Sequence, residues 1–187
     1  MSALHADALG VLSGWRAPDP AQEALRARYV AYLAETPDGV YRAGRPHHLT
    51  ASTLVMSADG AAVLLTLHAK AGKWFQFGGH LEPGDASLLA AATREATEES
   101  GLSVSLDPDP VQLSDHEVPF CGAGVHHYDV RFLAVVPPEA VPAVSAESLD
   151  VRWWPADALP SPDPDLVDLV DLALVRLAGR RLQPGRG

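Results

Sequence analysis

Two adjacent glycines, Gly78 and Gly79, interrupt a β-prone run, and from there to Gly101 the chain has few conformations open to it. The preceding KWFQF, residues 73–77, reads as a short strand, and paired glycines are not ordinary strand interior. Glu82, Pro83, Gly84 and Asp85 follow as a loop, with Asp85 or Ser87 available to cap a helix. That helix is predicted to stop at Gly101, a glycine suited to the position just past a helix end. Its last turns read REATEES and hold Glu95, Glu98 and Glu99. At about 100° per residue, with Glu95 as origin, Glu99 lies near +40° and Glu98 near −60°. All three carboxylates therefore share one side, while Leu89, Ala92 and Ala96 occupy the adjoining arc and predict close packing on a sheet.

Such an arrangement opposes itself. Like charges three or four residues apart destabilise a helix by roughly 0.2–0.5 kcal/mol per pair. Carboxylates in the last turn oppose the helix dipole by about 0.3–1 kcal/mol each where exposed. Arg94 relieves only part of this. A stretch that breaks two local rules together is where function is expected. A divalent cation removes the conflict, and Mg²⁺ prefers oxygen ligands from carboxylates, phosphates and water. The alternative for the glutamates alone is a solvated acidic face.

Around this segment the chain alternates in texture. Residues 1–46 form a helical extension, with apolar spacing at Leu25, Tyr29, Tyr32 and Leu33 and a start at Asp19-Pro20. Residues 47–187 are predicted as the main domain. LTASTLVMS and AAVLLTLHA flank Ala58-Asp59-Gly60 as a hairpin. VHHYDVRFLAVV and LDVRWWP read as further strands, Pro137 to Pro142 as a loop, and PDLVDLVDLALVRLA as a closing amphipathic helix. The fold class is α/β: one mixed sheet with helices on its faces.

The formal net charge of −10 argues against a general nucleic-acid binder, because phosphate-backbone affinity rests on Lys and Arg. A phosphate-bearing substrate is compatible with it if a divalent metal stands between. The single cysteine, Cys121, excludes an intramolecular disulfide. Neither a signal peptide nor a membrane-length apolar stretch is evident, so a cytoplasmic protein is expected.

Taken as one unit, GGHLEPGDASLLAAATREATEESGL at 78–102 closely resembles the Nudix box of the Nudix hydrolases. Gly79, then Arg94-Glu95, Glu98-Glu99, Gly101 and Leu102 stand where that family's pattern has them. Two positions depart: Asp85 replaces a glutamate, and eight residues, Ala86 to Thr93, precede Arg94 instead of seven. This leaves two roles for Asp85, partner of Arg94 or helix N-cap. The resemblance implies an α/β/α sandwich that hydrolyses a phosphoanhydride in a nucleoside diphosphate linked to another group. It implies Mg²⁺ or Mn²⁺ held by Glu95, Glu98, Glu99 and the backbone carbonyl of Gly79 or Gly78. Arg94, Glu95 and Glu98 would be catalytic, with Glu98 the candidate to deprotonate water. Two rival readings are a ligand sensor without turnover and a prenyl-diphosphate isomerase on the same fold.

Further candidates lie outside the glutamate turn. Glu82 could reach the metal or stabilise the loop; Glu147 could be an extra ligand or base, and Glu117 follows with less support. His127, Arg131 and Lys73 are candidate contacts to substrate, as is Lys70. His80, His126, His127 and Asp129 invite a zinc reading, but His126 and His127 point to opposite sheet faces, so pocket lining is expected instead. Trp74, Phe75 and Phe77 are expected in the core. The partner is a small diphosphate molecule, and the N-terminal helix could form a homodimer contact.

Overall fold

The computed structural model describes residues 2–43, 47–118, 121–144, 148–160 and 163–182. Helices α1 (Ala3–Gly14) and α2 (Pro20–Glu35) come first, each started by a capping side chain. Ser2 Oγ accepts from the His5 N–H, and Asp19 Oδ1 accepts from the Gln22 N–H with Pro20 next in line. The strands are β1 (His48–Ser57), β2 (Ala62–His68), β3 (Trp74–Phe75), β4 (Phe77–His80), β5 (Gln112–Glu117), β6 (His126–Val136) and β7 (Ser148–Pro155). Helix α3 (Leu88–Ser100) follows β4, and α4 (Pro164–Arg181) is the last element of the described residues.

Among the described residues the seven strands join one mixed sheet in the order β3-β2-β1-β6-β5, with β4 on β1 and β7 on β2. The parallel β1–β6 ladder runs from His48↔His127 to Ser57↔Val136 and forms its spine. β1 meets β2 only near its end, at Val55↔Leu64 and Met56↔Val63, and meets β4 in its first half, from Thr50↔His80 to Thr53↔Phe77. The KWFQF-GG run is thus one extended path broken at Gln76. Its first part belongs to β2, and its second crosses to β1.

Alternation along the strands decides the layers. Leu49 and Ala51 of β1, with Val130 and Phe132 of β6, face α1, α2 and α3 in one core that also holds Tyr29, Leu33 and Leu88. Leu54, Met56, Val63, Leu65 and Leu133 face the other way, onto Leu166, Leu169, Val170, Ala173 and Leu177 of α4. The N-terminal helices therefore share the main core, and the apolar face of α2 is used inside the molecule. Within the helical extension the sequence reading placed only the helix starting at Asp19-Pro20; α1 before it carries Leu4, Ala8 and Leu12 at helical spacing, and the polar edge strand β5 was not read as a strand.

Gly78 is required by close packing. A Cβ there would stand 2.3 Å from Ser52 Cβ, 2.7 Å from Ser52 Cα and 2.8 Å from Ala51 O of the paired strand. Gly78→Ala is expected to destabilise the fold by about 1–3 kcal/mol, typical for overpacking against a fixed neighbour. A thermal melt of the variant checks this, with an unshifted midpoint contradicting it.

Candidate active site

Helix α3 lies on the sheet through its small residues. Leu88, Ala91, Ala92 and Ala96 are buried, and the Thr53 hydroxyl of β1 donates to Ala92 O at 3.1 Å. Ser87 caps the N-terminus by accepting from the Ala90 N–H at 3.0 Å. At the other end Gly101 takes φ +70° and its N–H donates to Thr97 O. A side chain is strained at that φ, and a Cβ would also lie 2.7 Å from Ala143 Cβ.

This seating turns the glutamates toward the glycine strand unequally. Glu99 is 8% exposed, and its Oε2 accepts from the Gly78 N–H at 3.0 Å. Glu95 lies against Gly79 so closely that a Cβ there would be 2.6 Å from its Oε1. Glu98 has a side chain 60% exposed and faces outward from the same turn. The structure thus brings two carboxylates, Glu95 and Glu99, against the Gly78-Gly79 backbone, with Glu98 at their exposed edge.

Arg94 ties this cluster to the preceding loop. Its Nε and Nη2 donate to Asp85 Oδ1 and Oδ2, both at 3.0 Å, a bidentate pair. Nη2 also donates to His80 O at 3.2 Å, and Nη1 to Glu95 Oε1 at 3.0 Å and Glu98 Oε2 at 3.3 Å. Of the two roles open to Asp85, the structure places it as the partner of Arg94, while Ser87 is the cap. The shorter side chain reaches because residues 82–85 fold back. Asp85 N–H donates to Glu82 O at 3.0 Å, and Glu82 N–H donates to Asp85 Oδ2 at 2.8 Å. Burial pushes the Asp85 carboxyl up, but the bonds from Arg94 and Glu82 outweigh it and hold it below the usual range. The paired carboxylates, Asp85 first, keep Arg94 firmly charged.

Asp85→Ala is therefore expected to free Arg94 from the loop and let Glu95 and Glu98 drift. The expected loss in kcat is about 10–100-fold, the range for residues that orient functional side chains from behind, with the circular dichroism spectrum retained. Steady-state kinetics checks it, and unchanged activity would show the pair to be dispensable.

The remaining candidates lie elsewhere. Glu82 is exposed, and its backbone braces the loop. Glu117 Oε1 accepts from the Gly124 N–H at 2.9 Å, closing the β5–β6 loop. Glu147 lies outside the described residues. Lys70 and Lys73 are exposed on the β2–β3 turn. Phe77 is fully buried, and Trp74 packs edge-on against Trp154 at 5.2 Å.

Arg131 requires a correction. It was expected to meet substrate, but it is 3% exposed and its guanidinium is already engaged. It donates to Asp129 Oδ2 at 2.9 Å, Gln112 Oε1 at 2.7 Å and Asp165 Oδ2 at 2.6 Å. Thr50 and Ser52 donate to the same Asp129 carboxylate at 2.9 and 2.7 Å. Burial raises the Asp129 pKa, yet Arg131 and its other partners keep it below the ordinary value. This network links β1, β5 and β6 to the first turn of α4. His126 and His127 do point to opposite faces: His126 Nδ1 pairs with Asp115 Oδ1 at 2.6 Å, while His127 faces His48, His80 and His116.

A splayed mixed sheet, a glycine strand and a glutamate-ended helix define a class of protein, and comparison with known proteins identifies it. The family model described as the NUDIX domain matches residues 46–172, and the chain belongs to the Nudix hydrolase family. It is 31% identical over 129 residues to human 8-oxo-dGDP phosphatase NUDT18, across 64% of this chain and 36% of that protein. The chain thus spans about a third of that relative's length. Among solved structures, the Escherichia coli dihydroneopterin triphosphate pyrophosphohydrolase superposes with a TM-score of 0.58 at 19% identity, covering 71% of this chain and 97% of that one. The NUDIX domain of Shewanella oneidensis NrtR, complexed with ADP ribose, gives 0.58 at 23% identity, covering 79% and 97%. At these identities the likeness is one of fold. Among the described residues no helix is long and apolar enough to cross a membrane.

Proposed function

We propose that the chain is a divalent-metal-dependent hydrolase that cleaves a phosphoanhydride bond in a small nucleoside diphosphate derivative. The observation that carries this reading is the packing of Glu99 and Glu95 against the Gly78-Gly79 backbone, with Arg94 linking Glu95 to the exposed Glu98 of the same helix end. The donor set is all hard oxygen: three carboxylates and a backbone carbonyl. That chemistry fits Mg²⁺ or Mn²⁺ and disfavours softer ions. The residues that would hold the metal are Glu95, Glu98, Glu99 and the carbonyl of Gly79. When bound, the metal offsets the diphosphate charge and lowers the pKa of a coordinated water.

The protein's own contribution is placement. Glu99 is buried and oriented by the bond its Oε2 accepts from the Gly78 N–H. Glu95 is held between Gly79 and Arg94. Glu98 is the exposed member, reached by water, and is the group assigned to take a proton from the attacking water. The cut is then a direct displacement at phosphorus by water, and no covalent nucleophile is needed.

NUDT18 is described as a phosphatase of 8-oxo-dGDP, which makes an oxidised nucleoside diphosphate one substrate to include in a panel. Product release from nucleoside diphosphates, their sugar and dinucleoside conjugates and prenyl diphosphates is measured with and without Mg²⁺. Metal-dependent release from a nucleotide is the expected result. Ligand binding without turnover anywhere in the panel would favour a sensor, and double-bond migration in a prenyl diphosphate would favour an isomerase.

A further inference from the structure

A second cluster of ligating side chains lies across the sheet from the glutamates. His48 opens β1, His80 closes β4 and His127 lies near the start of β6. Strand register brings them together. His48 is opposite His127 in the parallel ladder, and His80 is opposite Thr50, two residues along the same face from His48. Because Gly79 faces α3, alternation sends the next residue, His80, to the other side. One ligand atom from each histidine lies within 4.8 Å of those of the other two.

Internal hydrogen bonding does not account for this cluster. His48 is 1% exposed, and both its ring nitrogens are buried with no hydrogen-bond partner among the described residues. His80 Nε2 is in the same condition. An imidazole always carries at least one N–H, and a buried polar group left unpaired costs about 1–3 kcal/mol. The rings pack at centroid distances of 5.0, 4.6 and 5.1 Å, so they face one another. Burial first, then their mutual proximity, lowers His48 to about 4 and His127 to about 3, and burial lowers His80 as well. Neutral imidazole is the form that binds metal. Cys121 adds a soft donor at the edge of the cluster, its Sγ 3.5 Å from His127 Nε2.

We propose that His48, His80 and His127 bind one divalent transition-metal ion of the zinc class, separate from the hard-oxygen site on α3. Zinc–nitrogen bonds of about 2.0–2.1 Å place ligand nitrogens roughly 3.4 Å apart in a tetrahedron, so modest ring rotations close the site. Imidazole ligands suit Zn²⁺, Co²⁺, Ni²⁺ and Cu²⁺ over Mg²⁺. The fourth position is left to water or the Cys121 thiolate. This assignment stands independently of the hydrolase reading.

The test is a Co²⁺ titration of metal-stripped protein in excess Mg²⁺, which keeps the glutamates occupied. One equivalent of Co²⁺ is expected to bind with the intense visible absorption of a tetrahedral nitrogen-rich site. His80→Asn and His127→Asn are expected to lose that absorption and weaken binding by roughly tenfold or more, whereas Glu98→Gln keeps it. Pulsed EPR of the Cu²⁺-loaded wild type reads imidazole nitrogens directly and requires no variant to fold. No uptake beyond the Mg²⁺ site, uptake indifferent to both histidine variants, or a Cu²⁺ signal without imidazole coupling would each overturn the proposal.

Discussion

Replacing Glu98 by glutamine is expected to lower kcat by roughly 10²–10⁴-fold, the range for loss of a positioned general base. Its outward position makes this informative. The side chain is 60% exposed and accepts from Arg94 at 3.3 Å, so the amide keeps the shape and disturbs no core contact. The thermal midpoint is expected to move little, because an exposed ion pair contributes about 0–1 kcal/mol. Activity and a melt measured on one preparation check both halves. Full activity in the variant would remove Glu98 from the mechanism, and a collapsed midpoint would make it structural.

The second large effect concerns stability. Arg131→Leu is expected to destabilise the fold by about 3–5 kcal/mol, because it strands the Asp129 carboxylate in the interior. For a domain of this size that corresponds to a drop in midpoint of roughly 6–20 °C. Thr50 and Ser52 would remain as donors to Asp129, but neither carries charge. The link from β6 to Asp165 at the start of α4 would be lost as well. A residue that served only to contact phosphate would behave differently: its loss would raise KM and leave the melt unchanged. Measuring both quantities on Arg131→Leu separates the two roles.

The difference between these arginines shows what could be read from the sequence. Arg94 sits in a local pattern, within one helix of Glu95 and Glu98, and spacing alone brings them together. Its link to Asp85 was ambiguous because the departure of one residue and one methylene is resolved only by how residues 82–85 fold. Arg131 looked like a free cation on a strand. Its partners Gln112 and Asp165 lie 19 and 34 residues away, on elements whose packing no local pattern specifies. The same holds for strand β5. Its buried residues include Gln112 and Ser114, so the apolar alternation that marked β1 and β6 was absent. The histidine cluster was hardest to see. His126 and His127 drew attention by adjacency, yet only His127 joins the cluster with His80, and the remaining member, His48, lies 79 positions from its cross-strand neighbour His127. Only the parallel β1–β6 register joins them. The sheet, its two helical layers and the glutamate turn were legible because periodicity, capping and turn chemistry are local. The buried polar networks were not, because they depend on strand order.

The account as a whole rests on the carboxylates of α3 being a metal site. The most direct measurement is a Mn²⁺ titration followed by loss of the free-ion EPR signal, on the wild type and on the combined Glu95→Gln, Glu98→Gln, Glu99→Gln variant. The wild type is expected to take up Mn²⁺ that Mg²⁺ displaces, and the variant to leave the signal unchanged. A wild type that removes no Mn²⁺ from solution, or a variant that removes just as much, would contradict it.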